Sequence, residues 1–455
     1  MSQARPVKRY RFESEMSESS TIFALSSGAG MAGIAVIRVS GPEAFAAARK
    51  LSGALPEPRF AARRIFRDPL SQDVLDDGIL LLFPEPKSFT GEDVAELHVH
   101  GSLAVIRAVL AALGGMAGLR PAEPGEFTRR AFRHERIDLV AAEGIGDLIQ
   151  ARTERQRKLA LHHALGGASQ VIEGWRRDLI GILGRVEAAV DFADEADVAR
   201  QTVEDVRERL DDLTRRMRRA LAEADRASAI REGLKIVLAG PPNVGKSSLL
   251  NVLARRDAAI VSAIPGTTRD VIEVAMEFSG VPVILTDTAG LRSASEDEIE
   301  RIGMARTGRE LAGADIVVWV SAPESPQGPP HDLDSETLWI ENKSDLGDGT
   351  GSTGAAYRIS AKTGAGMAEF FAALEEPVLQ LAAQTESATL IRTRHKQVAT
   401  SCVENLLRAT THSTDELELM AEALRAAACD MGRLTGRIDI EDVLDSIFRE
   451  FCIGK

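Results

Sequence analysis

The chain has 455 residues, 44% of them apolar and 4% aromatic, with a formal net charge of −13 at neutral pH. That length predicts two or three domains with aliphatic cores, and the acidic balance argues against indiscriminate binding to nucleic acid, which depends on neutralising phosphates. Three scattered cysteines, Cys402, Cys429 and Cys452, are too few for a disulfide framework or a zinc site and imply a reducing cytoplasm, while no run approaches the roughly 18 apolar residues of a membrane helix and no signal peptide opens the chain.

Residues 1–20 are polar and mixed in charge, and read as a disordered tail. From Thr21 to about Arg136, short apolar runs alternate with Gly and Pro; strands are expected at Gly33–Val39, Gly78–Phe83 and Val94–His100, and a helix at Leu103–Leu113. His98 and His100 share a strand face with Glu96 at a spacing compatible with a metal, without a convincing further ligand. Residues 137–230 change to a helical pattern. Val171, Trp175, Leu179, Ile182, Val186 and Val190 recur at three- and four-residue steps, as do Val206, Leu210, Leu213, Met217 and Leu221, so both stripes are expected to be core. The basic clusters at Arg129, Arg130, Arg133 and Arg136, at Arg152–Lys158 and at Arg215–Arg219 read as solvated helix faces.

Arg231, Glu232 and Gly233 end the helical stretch and hand over to an α/β region, 231–376, after which helical texture resumes over 377–455. The expected fold class is therefore α/β plus all-α: an N-terminal α/β domain (21–136) and a helical domain split by an inserted P-loop domain. Domain termini lie close together at the surface, which makes such insertion workable. A last helix, Glu441–Glu450, is expected to begin after Asp439 with Asp442 as its capping-box partner, delivering the ordered tail Phe451–Lys455, FCIGK. Prenylation of Cys452 fails on chemistry, because the residues after it are Ile453, Gly454 and a terminal Lys455.

The richest stretch is GPPNVGKS, Gly240–Ser247, directly after the apolar run Leu234–Ala239. A glycine-rich turn that opens a helix points backbone N–H groups at an anion; Lys246 adds a point charge, and Ser247 offers its hydroxyl to Mg²⁺. A second apolar run, Val281–Leu285, delivers DTAG, where Asp287 belongs beside the metal and Gly290 can turn its N–H to the terminal phosphate. A third, Ile316–Val320, precedes Thr337–Ile340, which ends in NKSD. Ionised Asp345 only accepts, so it suits the two N–H donors on the Watson–Crick edge of guanine, and a site built on such bonds rejects adenine by roughly 10⁴-fold. Asn342 is expected to tie this loop to the P-loop, and the Lys343 stem to cover the base. After a short strand at Tyr357–Ile359, Ser360, Ala361 and Lys362 supply backbone N–H groups. Together these elements predict a GTPase.

Two departures from the Ras-type pattern bear on hydrolysis. The position where Ras-type enzymes carry a water-orienting glutamine is Leu291, so Glu300, in SASEDEIERIG, is the candidate carboxylate. Asn243 puts an amide oxygen near the phosphates, where a monovalent cation between them would offset developing charge as an arginine finger does.

These residues, with IAVIRVSG, SFTGEDVAELHVHG, PGEFTRRAF, VDFADEADV, GTTRD, ERIG and the terminal FCIGK, resemble the tRNA uridine 5-carboxymethylaminomethyl modification GTPases, the MnmE/TrmE family, from about Thr21 to Lys455. The resemblance implies a homodimer whose N-terminal domain binds a tetrahydrofolate one-carbon carrier such as 5-formyl- or methylene-tetrahydrofolate. It further implies a FAD-dependent partner with which the protein modifies C5 of the wobble uridine of certain tRNAs. By motif, GTP contacts fall to Asn243, Val244, Gly245, Lys246, Ser247 and Ser248; to Ser262, Ala263, Ile264, Pro265, Gly266, Thr267 and Thr268; to Asp287, Thr288, Ala289 and Gly290; and to Asn342, Lys343, Asp345, Ser360, Ala361 and Lys362. K⁺ falls to Asn243, Ser262, Ile264 and Thr267, and Mg²⁺ to Ser247 and Thr268. Lys246 and Glu300 serve hydrolysis, Cys452 is the family's tail cysteine, and Arg38, Glu96, Arg136 and Lys455 contact folate. The chain departs from the family pattern in its GAGMAG loop, in Arg136 where lysine is common, and in Ser102 after Gly101. The rival readings are a GTP-controlled ribosome-assembly or RNA-binding switch and a stand-alone folate-dependent transferase.

Overall fold

The computed structural model describes residues 20–28, 30–191, 196–256, 273–287, 311–330, 335–347, 354–383, 386–413, 416–438, 444, 447–448, 451 and 454. They group into two units, Met1–Gly146 with Thr435–Lys455, and Asp147–Leu434.

The first unit is built on a six-stranded sheet in the order β3-β4-β5-β2-β1-β6. Its strands are β1 (Thr21–Leu25), β2 (Ala32–Ser40), β3 (Ala62–Arg67), β4 (Val74–Phe83), β5 (Val94–Gly101) and β6 (Leu119–Pro121). Period-two alternation sorts the faces. Ala35, Ile37 and Val39 of β2 and Leu97 and Val99 of β5 are buried with Phe66, Leu80 and Leu82, in one core with Ile106, Val109 and Leu113 of α2 (Leu103–Gly114) and Ala44, Ala47 and Leu51 of α1 (Ala44–Ser52). Arg38 and Glu96 are cross-strand partners on the opposite parity, as are Val36 and His98.

Helix α2 is capped by Ser102, whose side chain accepts from the Val105 N–H. Helix α3 (Glu126–Arg133) follows Gly125 in a left-handed conformation, φ 69°, where a Cβ would stand 2.6 Å from the Phe448 carbonyl. Helix α4 (Leu139–Gln150) contributes Leu139 and Ala142 to a small core with Leu444, Phe448 and Phe451. Each such aromatic contributes about 1.5–3 kcal/mol when buried. By contact, residues Thr435–Lys455 group with the first unit. Its last described residue, Gly454, adopts φ 98° and accepts a hydrogen bond from Ser26 Oγ at 2.9 Å.

In the second unit, α5 (Glu154–Ala164) starts from a full capping box between Thr153 and Gln156. It is followed by α6 (Gly167–Asp191) and α7 (Ala196–Glu232), and later by α10 (Thr393–Thr411) and α11 (Leu417–Thr435). The buried stripe of α6 is Ala168, Ile172, Trp175, Leu179, Ile182, Val186 and Ala189, a strict alternation of four- and three-residue steps facing Val203, Val206, Leu210, Leu213 and Met217 of α7. This corrects the sequence reading at both ends of the stripe: Val171 is 41% exposed, and Val190 is half-buried beside the buried Ala189. Adjacent helix positions point about 100° apart, so only one of Val171 and Ile172 can face the seam.

The nucleotide-type sheet runs β12-β11-β10-β7-β9-β8. Its strands are β7 (Leu234–Ala239), β8 (Glu273–Phe278), β9 (Val281–Asp287), β10 (Ile316–Ser321), β11 (Glu336–Glu341) and β12 (Tyr357–Arg358), all parallel except β8. Apolar runs without alternation mark parallel strands covered on both faces. Helices α8 (Lys246–Arg256) and α9 (Met367–Leu381) pack into this core through Leu249, Leu250 and Leu253 and through Phe370, Leu374 and Val378, followed by Ala382. The boundary expected at 376 falls inside α9, whose buried face continues past it in the same core. Leu159 of α5 joins that core too. Both connections to the sheet are held by α5: Gln156 Nε2 donates to the Arg231 carbonyl at 3.1 Å, and Arg155 and His163 Nε2 reach the Ala382 and Ala388 carbonyls at 2.8 Å each.

Candidate nucleotide site and a charged cluster in the N-terminal unit

The chain leaves β7 through Gly240, φ 138°, where a Cβ would lie 2.0 Å from the Val320 carbonyl, so only glycine fits. Asn243 and Gly245 are also left-handed, at φ 62° and 96°. That curls the loop around the start of α8. Lys246, 5% exposed, folds back over the loop and donates to the Gly240 and Pro241 carbonyls at 2.9 and 2.7 Å. Ser247 Oγ donates to Asp287 Oδ2 at 2.6 Å, because β9 lies beside β7 with Leu238 opposite Asp287. A hydroxyl and a carboxylate oxygen this close form a hard donor pair that fits Mg²⁺.

On the base side, Asn342 is 2% exposed and uses both ends of its amide: Nδ2 donates to the Val244 carbonyl at 2.8 Å, and Oδ1 accepts from the Ala361 N–H at 3.0 Å. Three loops distant in sequence are thus joined through one side chain. Lys343 is left-handed, φ 63°, with Nζ 3.3 Å from Glu324. Ser360 Oγ donates to Asp345 Oδ1 at 2.6 Å, and that bond holds the Asp345 carboxyl below the usual carboxylate range. A pocket of about 530 Å³ opens here, lined by Gly245, Ser248, Asn342, Lys343, Asp345, Ala361 and Lys362, and also by Asn251, Val252 and Leu346. Sequence reasoning missed the last three. The helical period could have found Asn251, four residues and one turn beyond Ser247; Leu346 simply follows Asp345.

Ser262, Ala263, Ile264, Pro265, Gly266, Thr267, Thr268, Thr288, Ala289, Gly290, Glu300, Cys452 and Lys455 lie outside the described residues. Of the expected K⁺ ligands the structure therefore describes Asn243, and of the Mg²⁺ ligands Ser247.

In the first unit, Arg38 Nε and Nη2 reach Glu96 Oε1 at 3.0 and 2.9 Å. The guanidinium lies over two aromatic rings, 5.3 Å from the centre of Phe89 and 5.7 Å from that of Phe127. His98 Nε2 is 3.4 Å from Glu96, whereas His100 turns to Asp76 at 2.8 Å. The two histidines go to different carboxylates, and among the described residues no group suited to a metal ion is formed. Arg136 is exposed, its stem beside Gly91.

One expected solvated residue proves buried. Arg130, 6% exposed, donates to Glu92 at 3.0 and 3.1 Å, to Glu126 at 3.0 Å and to the Ser20 carbonyl at 2.9 Å. Glu126 also accepts from Arg120 at 2.8 Å and from the Glu123 N–H at 2.9 Å. Burial pushes the Glu126 carboxyl up, but the Arg120 bond and the neighbouring charges bring it net below its ordinary value. Arg130 lies three residues after the buried Phe127, on the same helix face, and is neutralised there by Glu126 one turn earlier in α3 and by Glu92 from elsewhere in the fold.

Residues 21–136 match the family described as GTP-binding protein TrmE N-terminus, and residues 139–452 match the MnmE helical domain. The tRNA modification GTPase MnmE of Rhodopseudomonas palustris is 44% identical over 440 residues, 96% of this chain and 99% of that one. Those of Methylobacterium sp. and Beijerinckia indica are 46% and 45% identical over 442 and 435 residues, again 96% of this chain and 99% and 96% of theirs. Among solved structures, the G domain of the T. maritima FeoB iron transporter aligns with 33% of this chain and 98% of its own at 24% identity and a TM-score of 0.23. Among the described residues no helix is long and apolar enough to cross a membrane. With both family models matched and relatives matched over nearly their whole length, the chain belongs to the MnmE family of tRNA modification GTPases, GTP hydrolases that act in tRNA modification.

Proposed function

We propose that this GTPase is stimulated by K⁺ and works in the cytoplasm as a homodimer with a FAD-dependent partner. Together they add an aminomethyl or carboxymethylaminomethyl group to C5 of the wobble uridine of certain tRNAs, taking the carbon from a tetrahydrofolate. The observation that carries the folate part is the Arg38–Glu96 pair beside Phe89 and Phe127. A pterin has a flat ring and a 2-amino-4-oxo edge with two adjacent N–H donors, and a carboxylate is the acceptor for such an edge. The folate-binding domain is 21–136; Arg136 and Lys455 would meet the glutamate end of the ligand, and the Cys452 thiol would stand in the tail beside it. Relatives named for tRNA modification give no support to the ribosome-switch reading.

In the nucleotide domain, inserted into the helical domain at about 231–376, Lys246 and the loop N–H groups hold the phosphates. Ser247 and Thr268 would hold Mg²⁺, and Asn243, Ser262, Ile264 and Thr267 would hold K⁺. These cations, when bound, offset negative charge on the phosphates. Glu300 orients the attacking water in place of a glutamine. Two measurements test the reading. GTP hydrolysis is expected to be at least about tenfold faster in K⁺ than in Na⁺ at equal ionic strength, since losing one such charge contact costs ~1.4 kcal/mol or more; equal rates remove Asn243 from its role. 5-Formyl-tetrahydrofolate should raise the melting temperature, because a ligand at 100 times its Kd stabilises by about 2.7 kcal/mol; an unchanged melt overturns the folate site.

A further inference from the structure

The rim of the base pocket is closed by an edge strand two residues long. Tyr357 and Arg358 of β12 pair with Ile340 and Glu341 of β11. Backbone bonds continue the seam from the Ile359 N–H to the Glu341 carbonyl at 2.8 Å and from the Ser344 N–H to the Ile359 carbonyl at 3.0 Å. Immediately beyond Glu341 comes Asn342, and two residues beyond Arg358 comes Ser360, so both base loops leave from this seam. Here Glu341 is 3% exposed and accepts from Arg358 Nε at 2.9 Å. A carboxylate so far from water is costly unless paired, and β11 would bury an apolar residue there at no such cost. Nothing in the phosphate chemistry uses this carboxylate.

We propose that the Glu341–Arg358 pair is a positioning device for guanine recognition: it fixes the short strand β12 against β11 and thereby aims the Lys362 N–H of the Ser360–Lys362 loop at the O6 of the base, the Ser360 and Ala361 N–H groups being spent on the Ala365 carbonyl and on Asn342 Oδ1. An edge strand held by so few backbone bonds has weakly specified register. A one-residue slip would carry Ala361 away from Asn342 Oδ1, which it now meets at 3.0 Å. The proposal rests on the reading of that loop as the one that meets the base carbonyl.

The test uses the full chain and two nucleotides, GDP and 6-thio-GDP, which keeps both N–H donors facing Asp345 but replaces O6 by sulfur, a weak acceptor. In Arg358→Met, GDP affinity should fall about tenfold, the upper worth of one neutral hydrogen bond, while 6-thio-GDP affinity falls less than about twofold. The GDP preference of the wild type should collapse and kcat at saturating GTP should hold. Arg358→Lys, which keeps the charge, should restore most of the preference. Glu341→Gln, which keeps an acceptor, should give an intermediate loss and serves if the methionine variant does not fold. Equal weakening of both nucleotides would reduce the pair to a structural staple and overturn the proposal. Equal affinity of the wild type for the two nucleotides would instead remove the O6 contact itself, a separate failure.

Discussion

On the proposed function two sites in this chain would have the same recognition problem, a 2-amino-4-oxo-pyrimidine edge, and they differ in what holds the answering carboxylate. Around Asp345 the backbone is the scaffold. Gly240, Asn243 and Gly245 take left-handed conformations, and the Asn342 amide is spent on a carbonyl of one loop and an N–H of another. Around Glu96 side chains hold side chains: Arg38 grips Glu96 and lies over Phe89 and Phe127, and in the same unit Arg130 joins Glu92 to Glu126. A site of the first kind fails most sharply when a methyl group is added to its backbone. A site of the second kind has the opposite weakness, because each charge is the neutralising partner of another.

The largest expected effect follows from the second kind. Arg130→Met leaves Glu92 and Glu126 short of a partner at a buried position, and breaking a buried pair costs about 3–5 kcal/mol. Hydrogen exchange should show the amides of β1, β2 and β5 losing protection by that amount, with GDP affinity unchanged within twofold. A comparable loss in GDP affinity would mean that the two regions are not independent in the way the comparison requires.

Next is the converse experiment. Gly240→Ala adds a methyl 2.0 Å from the Val320 carbonyl at φ 138°, a conflict worth roughly 2–3 kcal/mol. GDP affinity should fall on the order of 100-fold while folate-dependent stabilisation persists. Gly28, where a Cβ would meet nothing within 4 Å, is the control, and Gly28→Ala should stay within about 0.5 kcal/mol of the wild type in stability. If the two alanines behave alike, steric closure at the strand end is not what shapes the P-loop.

The same contrast explains what could be read from the sequence. The central parallel strands β7, β9 and β10 are largely apolar, so β7 was visible at Leu234–Ala239 to the residue, and the α/β plus all-α class followed. The loops after them are local, so the residues that meet around the pocket could be named from their motifs, and the tie of Asn342 to the P-loop could be expected with them. Tertiary choices were not visible. Whether Val171 or Ile172 turns inward depends on where α7 lies; whether Arg130 is solvated depends on Glu92, distant in sequence; whether residue 376 ends a domain depends on Val378 reaching the sheet core. The C-terminal segment gave no local sign that Phe448 and Phe451 would pack on α4.

A smaller effect is expected at Arg38. Arg38→Met removes a paired donor from Glu96, whose side chain is 16% exposed, and also the cation over two rings, worth ~0.5–2 kcal/mol. The melting shift produced by 5-formyl-tetrahydrofolate should be lost or halved. Arg38→Lys should recover little of it, since an ammonium cannot reproduce the planar fork by which Nε and Nη2 converge on Glu96 Oε1. Full recovery by lysine would make this a site of charge alone, and would blur its difference from the P-loop lysine.

The smallest effect is one of pH. Ser360 Oγ is the main cause that holds Asp345 below the usual carboxylate range, followed by burial acting the other way. A depressed carboxyl contributes stability above its unfolded pKa and loses it as pH falls through the folded value. Guanine binding needs the ionised form, so GDP affinity should stay flat from neutral pH down through the ordinary carboxylate range and fall only below it. Ser360→Ala removes the donor, so the fall should begin at higher pH, with a loss at pH 7 of no more than about tenfold, from the missing support to the Thr363 N–H that Ser360 Oγ also accepts at 3.2 Å. Coincident pH profiles for wild type and Ser360→Ala would show that the carboxylate is held by the loop backbone without help from the hydroxyl, and would make the nucleotide site a still purer case of backbone construction.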